Sequence, residues 1–582
     1  MVLPRSCASQ AILVSWDRPA SNRPQFFVES QQSTIPGQVS LEKLIWCAGY
    51  IANRSECLSY PRTPDSITEL ELVARLYELH GVQAAERIAG PLAWILWDET
   101  RRKLVAIRDR VGIYCIYYAL HGGKLWLSNQ VELLLKAGAV LPSINPRAVV
   151  AHLQGLPPAL GETFYEDVHA LEPGYWLEIT EDKLNSGRYW RIEAGPVLKL
   201  ASDEEYASDL RDLLFRVVAS HIPPGPAGVT LSSGLDSTSV SAAFKATHPS
   251  QELVAFSWVT PELVEADESR YTDEVCQYLN LPSAQIRADL AYPFSTPRGI
   301  QTTLASPFYN YYTELWDEVF QAVRQHGIST LFTGLSGDNL FGGNVFIYPD
   351  LLITGRWLEL ARQMGEHLPK SPWGKNRFNF FRKTTIRPVL DVYLPVWRRI
   401  RARHVPWLGE KYKDLHKVVL IFPQNTPRML PSRRQRLDLL CDPVLSQISE
   451  YVTWQAAGHS IEMRHPLLDH RLLEYAASLP TSQTFRAGQR KIILRNAMRG
   501  YLPDSVLDMW GKIYPSAIFK RGVRERETEK VWNLMTGMRA AELGYVDQAI
   551  LRQNYQEYLD GKHEDERFWH AITLEDWLRR YF

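Results

Sequence analysis

No apolar run in the 582-residue chain approaches the ~18 residues that a membrane-spanning helix needs. The amino terminus, Met1-Val2-Leu3-Pro4-Arg5, lacks the basic start and long apolar stretch of a secretion signal. Cysteine is scarce and scattered, at 7, 47, 57, 115, 276 and 441, with no CxxC pair and no zinc-ligand spacing. Such thiols read as reduced and mostly buried. Net charge is missing too, because 65 basic residues cancel 65 acidic ones. That argues against a globally basic nucleic-acid coat and against an acidic solvating tail. No internal repeat or low-complexity tract stands out. The expectation is a cytoplasmic protein that neither inserts in a membrane nor binds nucleic acid.

A hydrophobic share of 45% is ordinary for a globular chain and too high for a disordered one. The length allows about three domains, or two large ones. The 18 Trp and 27 Tyr point to large aromatic-lined surfaces or pockets.

Residues 1–195 read as turn-punctuated strands with few helices, which suggests a sandwich. Leu104 to Tyr118 is two β-rich runs broken near Gly112, Lys124–Ser128 returns after the His121-Gly-Gly123 turn, and Tyr175–Ile179 alternates after Glu172-Pro-Gly174. A helix is expected over 67–79. From about 200 to 582 the character changes. Ser202-Asp-Glu-Glu reads as an N-cap with acids in the first turn of a helix to about 220. After Pro223-Pro-Gly-Pro226, strands at 227–231, 253–259, 284–287 and 330–332 alternate with helices at 239–245, 272–279 and 313–326. That is the pattern of a parallel α/β sheet. Residues 344–445 form an insert with nineteen Lys/Arg against eight acids, interleaved with Trp357, Trp373, Trp397 and Trp407. Its basic residues read either as solvated helix faces or as a wall that grips a substrate peptide or partner.

Two segments carry chemistry. In Val229-Thr-Leu-Ser-Ser-Gly-Leu-Asp-Ser-Thr238 an apolar strand runs through a small-residue loop into a helix. That geometry presents backbone N–H groups to an anion, with Ser232 and Ser237 adding hydroxyls. Asp236 in such a loop makes sense if it holds Mg²⁺ against a polyphosphate. The GxxxxGK[ST] pattern is absent, so this is a different phosphate loop. Leu331-Phe-Thr-Gly-Leu-Ser-Gly-Asp-Asn-Leu-Phe-Gly-Gly343 repeats the theme with Asp338. In a parallel sheet both loops emerge at the carboxyl edge, so Asp236 and Asp338 can share Mg²⁺ around pyrophosphate.

Ser232-Ser-Gly-Leu-Asp-Ser237 resembles the SGGxDS pyrophosphate loop of N-type ATP pyrophosphatases, with Ser233 replacing one Gly. Thr333–Asp338 and Phe341-Gly-Gly343 resemble the second loop of the asparagine synthetase family. Asp267–Tyr271, Glu462-Met-Arg-His-Pro-Leu-Leu-Asp469, Lys491–Ala497 and Leu502-Pro503 resemble further motifs of that family in order. In the first half, Ala106–Gly112 and Ser128–Glu132 match as well. The resemblance implies a class II glutamine amidotransferase-like sandwich over 1–195 and an ATP pyrophosphatase domain over 200–582. ATP would lie against Leu231, Ser232, Ser233, Gly234, Leu235, Asp236, Ser237, Trp258, Thr333 and Gly334. Lys512 stands in the place of the family's catalytic lysine, or is a surface lysine. Glu462 either orients or deprotonates near the amine, or is a structural partner of Arg464. Lys491 reads as structural or peripheral, and no residue is identified as the general base.

Departures from the pattern narrow the expectation. Glutamine-hydrolysing members need a cysteine exposed by removal of the initiator Met, and this chain has Val2 there, its first cysteine being Cys7. Leu335 stands where asparagine synthetases have an acid and β-lactam synthetases a Tyr, and Asn339 where Glu is usual. With the long basic insert, the chain looks most like the lasso peptide cyclases. That resemblance implies ATP- and Mg²⁺-dependent adenylation of an Asp or Glu side chain of a precursor peptide, then macrolactam closure by its N-terminal amine. Leader-peptide-binding and leader-peptidase proteins would be partners. An ammonia-using asparagine synthetase, a β-lactam synthetase or a non-enzymatic scaffold remain as alternatives.

Overall fold

The computed structural model describes residues 11–17, 23–29, 38–40, 45–59, 67–295, 303–343, 345–370, 376–393, 405–415, 429–510 and 516–582. The first part is a pair of antiparallel sheets, one of five strands and one of six, whose inner faces meet over Trp16, Trp46, Trp97, Ile116 and Leu177. The expected 67–79 helix forms as Glu69–His80. It is held at its start by a reciprocal capping box between Thr68 and Glu71, which satisfies amide donors the helix cannot pair itself. The Leu104–Tyr118 reading needs correction. Strands cover only Lys103–Ile107 and Tyr117–His121. Between them the buried carboxylate of Asp109 accepts hydrogen bonds from the backbone N–H groups of Val111, Gly112, Ile113 and Tyr114. Those donors cannot then pair in a ladder.

The second part centres on a five-stranded parallel sheet. Its order is Ser283–Arg287, Leu253–Val259, Ala227–Leu231, Thr330–Phe332 and Glu462–Arg464. Alternation along the strands feeds two cores. Val229, Ala255 and Phe332 face helices Asp203–Ser220 and Leu235–Thr247, while Val254, Phe256 and Leu331 face helix Thr313–Gln325. Ser202 caps the first of these helices through Glu205 N–H, with Asp203, Glu204 and Glu205 favourably placed against its dipole. Strand order reverses between Ala227–Leu231 and Thr330–Phe332. That topological switch opens a crevice at the carboxyl edge, and both predicted loops leave the sheet there. The helix after the first loop starts at Leu235, not at Ser239, so Asp236 lies in its first turn.

The insert is helical but not one appendage. Helices Ile347–Ile353, Trp357–His367 and Arg377–Phe381 carry a small core of Tyr348, Leu351, Leu360, Phe380 and Phe485. Helix Pro431–Leu440 instead packs into the main core through Leu437 and Leu440. Trp407 is fully buried among Trp569, Trp577, Tyr555 and Tyr558, so it is core and not a peptide-facing ring. Arg436 is buried as well, donating to Ala476 O and to Thr484 Oγ1. Trp373, Trp397, Arg398, Arg399, Arg401 and Arg403 lie outside the described residues. Among the described cysteines, Cys47, Cys57, Cys115 and Cys276 are buried thiols outside any disulfide and Cys441 is exposed. Among the described residues no helix is long and apolar enough to cross a membrane.

Candidate active site

The first loop is tied down by its own side chains. Ser237 Oγ accepts from Ser232 N–H and pairs with Ser232 Oγ, both at 3.1 Å. Ser233 donates its N–H and hydroxyl to the Glu268 carboxylate at 3.2 and 2.9 Å, which gives the acidic 267–271 segment a defined task. Thr238 Oγ1 donates to Gly234 O at 3.0 Å.

The second loop is fixed from the sheet edge. Thr333 N–H donates to Arg464 O at 3.0 Å, continuing the ladder of the last two strands. Thr333 Oγ1 shares a 2.7 Å hydrogen bond with His465 Nδ1 and accepts from Leu335 N–H. Burial pushes the His465 imidazole down to about 3, so it is neutral at physiological pH. Asn339 donates to Leu439 O at 3.0 Å and thereby anchors the insert helix. Leu335 packs on the sandwich core.

The loops press on each other through glycine. A Cβ on Gly334 would stand 2.4 Å from Ser237 N, and one on Gly337 would stand 2.1 Å from Asp236 Cγ. Only residues without a side chain allow this approach.

The contact brings Asp236 and Asp338 to one cation, and that cation is Lys491. Its Nζ lies 2.8 and 2.6 Å from the two oxygens of Asp236 and 2.9 Å from Asp338 Oδ1. Lys491 arrives on a hairpin, Phe485–Arg486 with Gln489–Arg490, and takes a left-handed φ of 59° before helix Ile492–Ala497. Of the expectation that Lys491 is structural or peripheral, the peripheral half is corrected: it lies between the two loops, and its buried ion pairs fit the structural half. Two carboxylates facing an anion-binding loop call for a cation between them, but nothing local in the sequence marks Lys491 as that cation.

Other expected residues fall as follows. Leu231 ends its strand, buried, and Leu235 is buried at the start of the following helix. Trp258, near the carboxyl end of the neighbouring strand, forms an aromatic group with Tyr312 and Trp316. Glu462 is not brought to the two loops. It pairs with Thr330, at the first residue of a strand whose last residue leads into the second loop, and its carboxylate meets Arg464 at 2.6 Å. The Arg464 guanidinium lies 3.4 Å above the ring of Tyr50, a residue of the first domain. The structural reading of Glu462 is the one this geometry carries. Lys512 lies outside the described residues. A cavity of ≈ 220 Å³ opens elsewhere, at the seam between the two parts, where Trp46, Tyr117, Glu450 and Trp454 line it.

Two carboxylates from adjacent strand ends are a hard-oxygen set of the kind Mg²⁺ accepts when phosphate and water complete its shell. The residues present fit that ion. Among the described residues no cluster of three or more His, Cys, Asp or Glu offers an all-protein metal site.

Comparison with known proteins agrees with this architecture. The asparagine synthase family model matches residues 209–579, and the glutamine amidotransferase domain model matches residues 50–190. An amidase (chry2) of Gibberella zeae is 24% identical, covering 85% of this chain and 78% of that protein. A glutamine-hydrolysing asparagine synthetase of Bacillus subtilis is 21% identical, covering 90% of this chain and 84% of that protein.

Proposed function

The chain belongs to the asparagine synthase family, as an ATP-dependent amide-bond ligase of asparagine synthetase type, and we propose that it acts on a peptide as a macrolactam synthetase. In this reading ATP adenylates an Asp or Glu side-chain carboxylate of a precursor peptide, with release of pyrophosphate. The peptide's N-terminal amine then attacks the acyl-adenylate carbon. The C–N bond forms, AMP leaves, and the amine gives up one proton.

The observation that carries the AMP-forming step is the Asp236–Lys491–Asp338 cluster at the switch point. Mg²⁺, when bound, would neutralise phosphate charge between Asp236 and Asp338. Lys491 is placed to exchange its carboxylate partners for phosphate oxygens, supplying positive charge where negative charge develops. The 232–237 loop offers N–H and hydroxyl donors to pyrophosphate. Thr333 and Gly334 border the nucleotide, and Trp258 lies at its adenine side. Lys512 would add a second cation.

Two features favour a peptide amine over ammonia. Leu335 puts neither an acid nor a phenol at its own position in the second loop and packs on the sandwich core. The long insert adds surface that a small substrate does not need. Holding both ends of one peptide replaces an encounter with an intramolecular reaction, worth up to about 7–11 kcal/mol in well-oriented systems. Leader-peptide-binding and leader-peptidase proteins are the proposed partners. The likeness to asparagine synthetases over nine-tenths of the chain keeps a small-molecule amide synthetase as the second reading.

The test incubates the enzyme and ATP·Mg²⁺ with a candidate precursor peptide cut to a core that has a free N-terminus and an internal Asp or Glu. AMP and pyrophosphate should appear together with a peptide lighter by one water and lacking a free N-terminus. Formation of asparagine from aspartate and ammonia, with no modified peptide, overturns the macrolactam reading.

A further inference from the structure

Ser336 departs from its surroundings in two independent ways. Its backbone sits in the left-handed region, φ 77° and ψ −3°, where a side chain crowds the main chain and glycine is the usual occupant. Its side chain is sealed from solvent, the residue being 6% exposed, and among the described residues its hydroxyl oxygen has no hydrogen-bond partner. The unpaired hydroxyl disfavours the ligand-free state, and the backbone strain adds a cost that a glycine would not carry. Buried hydroxyls almost always find a partner, and strained non-glycine residues concentrate at functional sites. A glycine here would remove both problems.

The position explains what the hydroxyl is for. Ser336 is bracketed by Gly334, which touches the backbone of Ser237, and Gly337, which touches the carboxylate of Asp236. It precedes Asp338 by two residues. Its carbonyl accepts from Asn339 and Leu340 N–H at 2.9 and 3.1 Å, so the main chain is held while the hydroxyl is left over. Only rotation about χ1 moves that oxygen, and the anion nearest in the proposed reaction is the nucleotide.

We propose that Ser336 is a ligand-binding residue whose hydroxyl donates a hydrogen bond to a phosphate oxygen of bound ATP and of the acyl-adenylate. The inference rests on the ATP-binding reading above and adds to it a donor that strand-end motifs do not single out. The hydroxyl turns from its orphaned position to the phosphate as the nucleotide enters. The strain of the left-handed backbone is tolerated because the second loop must keep its approach to the first.

Two variants of the full chain separate this role from mere tolerance. Ser336→Gly removes strain and hydroxyl together, and Ser336→Ala removes the hydroxyl but keeps the strain. Binding of α,β-methylene ATP with Mg²⁺ is titrated calorimetrically, and melting is followed with and without it. Without nucleotide, Ser336→Gly should melt above the wild type. Both variants should nevertheless bind the analogue about tenfold more weakly, the loss expected for one hydrogen bond to a charged acceptor. Wild-type affinity in Ser336→Gly overturns the role of the hydroxyl and leaves the ATP reading intact. Failure of the wild type itself to bind the analogue overturns both.

Discussion

Lys491 reaches across 255 positions of sequence to place its ammonium 2.6 Å from a carboxylate oxygen of Asp236, with both side chains largely buried. An ion pair taken out of water is stable only while both members are present, because the survivor would be a buried, uncompensated charge. The pair therefore ties the folding of the 485–490 hairpin to the first phosphate loop.

Replacing Lys491 with Met leaves Asp236 and Asp338 facing each other. The expected cost is about 3–5 kcal/mol of stability, the range for breaking a buried pair, read by urea unfolding. Pyrophosphate release should be lost as well. The double variant Lys491→Met, Asp236→Asn should recover much of the stability and none of the activity. Recovery of activity in the double variant would remove the pair from the mechanism.

Asp236→Asn alone should abolish Mg²⁺-dependent formation of AMP and pyrophosphate from ATP. Products resolved by anion-exchange chromatography decide the point. ADP and phosphate in place of AMP and pyrophosphate would reject the reaction class.

Much of the scaffold was legible because its signals are local. Ala227–Leu231, Leu253–Val259 and Thr330–Phe332 are short apolar runs bounded by turns, and the Ser202 cap with its acidic first turn announced helix Asp203–Ser220. What stayed hidden depends on distant partners. Lys491 looked peripheral because its carboxylates come from two other segments. The place of Trp407 gave no local sign, because its neighbours in sequence are basic whereas its neighbours in space are the carboxy-terminal aromatics. Residues 108–116 read as strand because β-branched and aromatic content does not reveal that Asp109 takes the backbone donors.

Acid should weaken the fold through His465. Its imidazole titrates at about 3 in the folded chain against ~6.5 when unfolded. Between those values the unfolded chain binds a proton that the folded chain refuses, so stability falls as pH falls through that window and is unaffected above it. The slope is about 1.4 kcal/mol per pH unit for one such group. Asp350, raised to about 6 by burial, works in the opposite sense, losing its contribution as pH rises towards 6. Comparing wild type with His465→Asn at pH 7 and 5.5 cancels that contribution. The variant should lose about 1–2 kcal/mol less than the wild type over this interval. Equal losses would show that His465 takes up its proton without unfolding.

Tyr50 joins the two parts of the molecule at a point that matters for the second loop. Its hydroxyl donates to His221 Nδ1 at 2.7 Å, His221 Nε2–H donates to Asp469 at 3.0 Å, and its ring carries Arg464, whose carbonyl holds Thr333. Tyr50→Phe keeps the ring stack and orphans a buried imidazole, at a cost of about 1–3 kcal/mol. Tyr50→Ala loses both contacts, and the ATP half-saturation should rise further than in Tyr50→Phe. Identical ATP dependence in all three proteins would confine Tyr50 to a structural role.

On the expectation that the amidotransferase-like half is inactive, purified enzyme should release no glutamate from glutamine. A glutamate dehydrogenase-coupled assay checks this directly. Separately, reversing the charge of Arg398, Arg399, Arg401 and Arg403 should raise the precursor-peptide half-saturation at saturating ATP and make it more sensitive to salt. Unchanged values at two salt concentrations would leave these arginines without a substrate role.

The aromatic cluster around Trp569 and Trp577 also takes in Val149, Val150 and Leu153 from a helix of the amidotransferase-like half. Lineages that lose an enzymatic step often discard the module that performed it. Here excision would expose a wall of indole and phenol rings to water, so the carboxy terminus constrains drift in the first half. Substitutions in helix Pro146–Leu153 should therefore covary with those in helix Phe568–Tyr581. The inner face of the first half is thereby part of the second half's core.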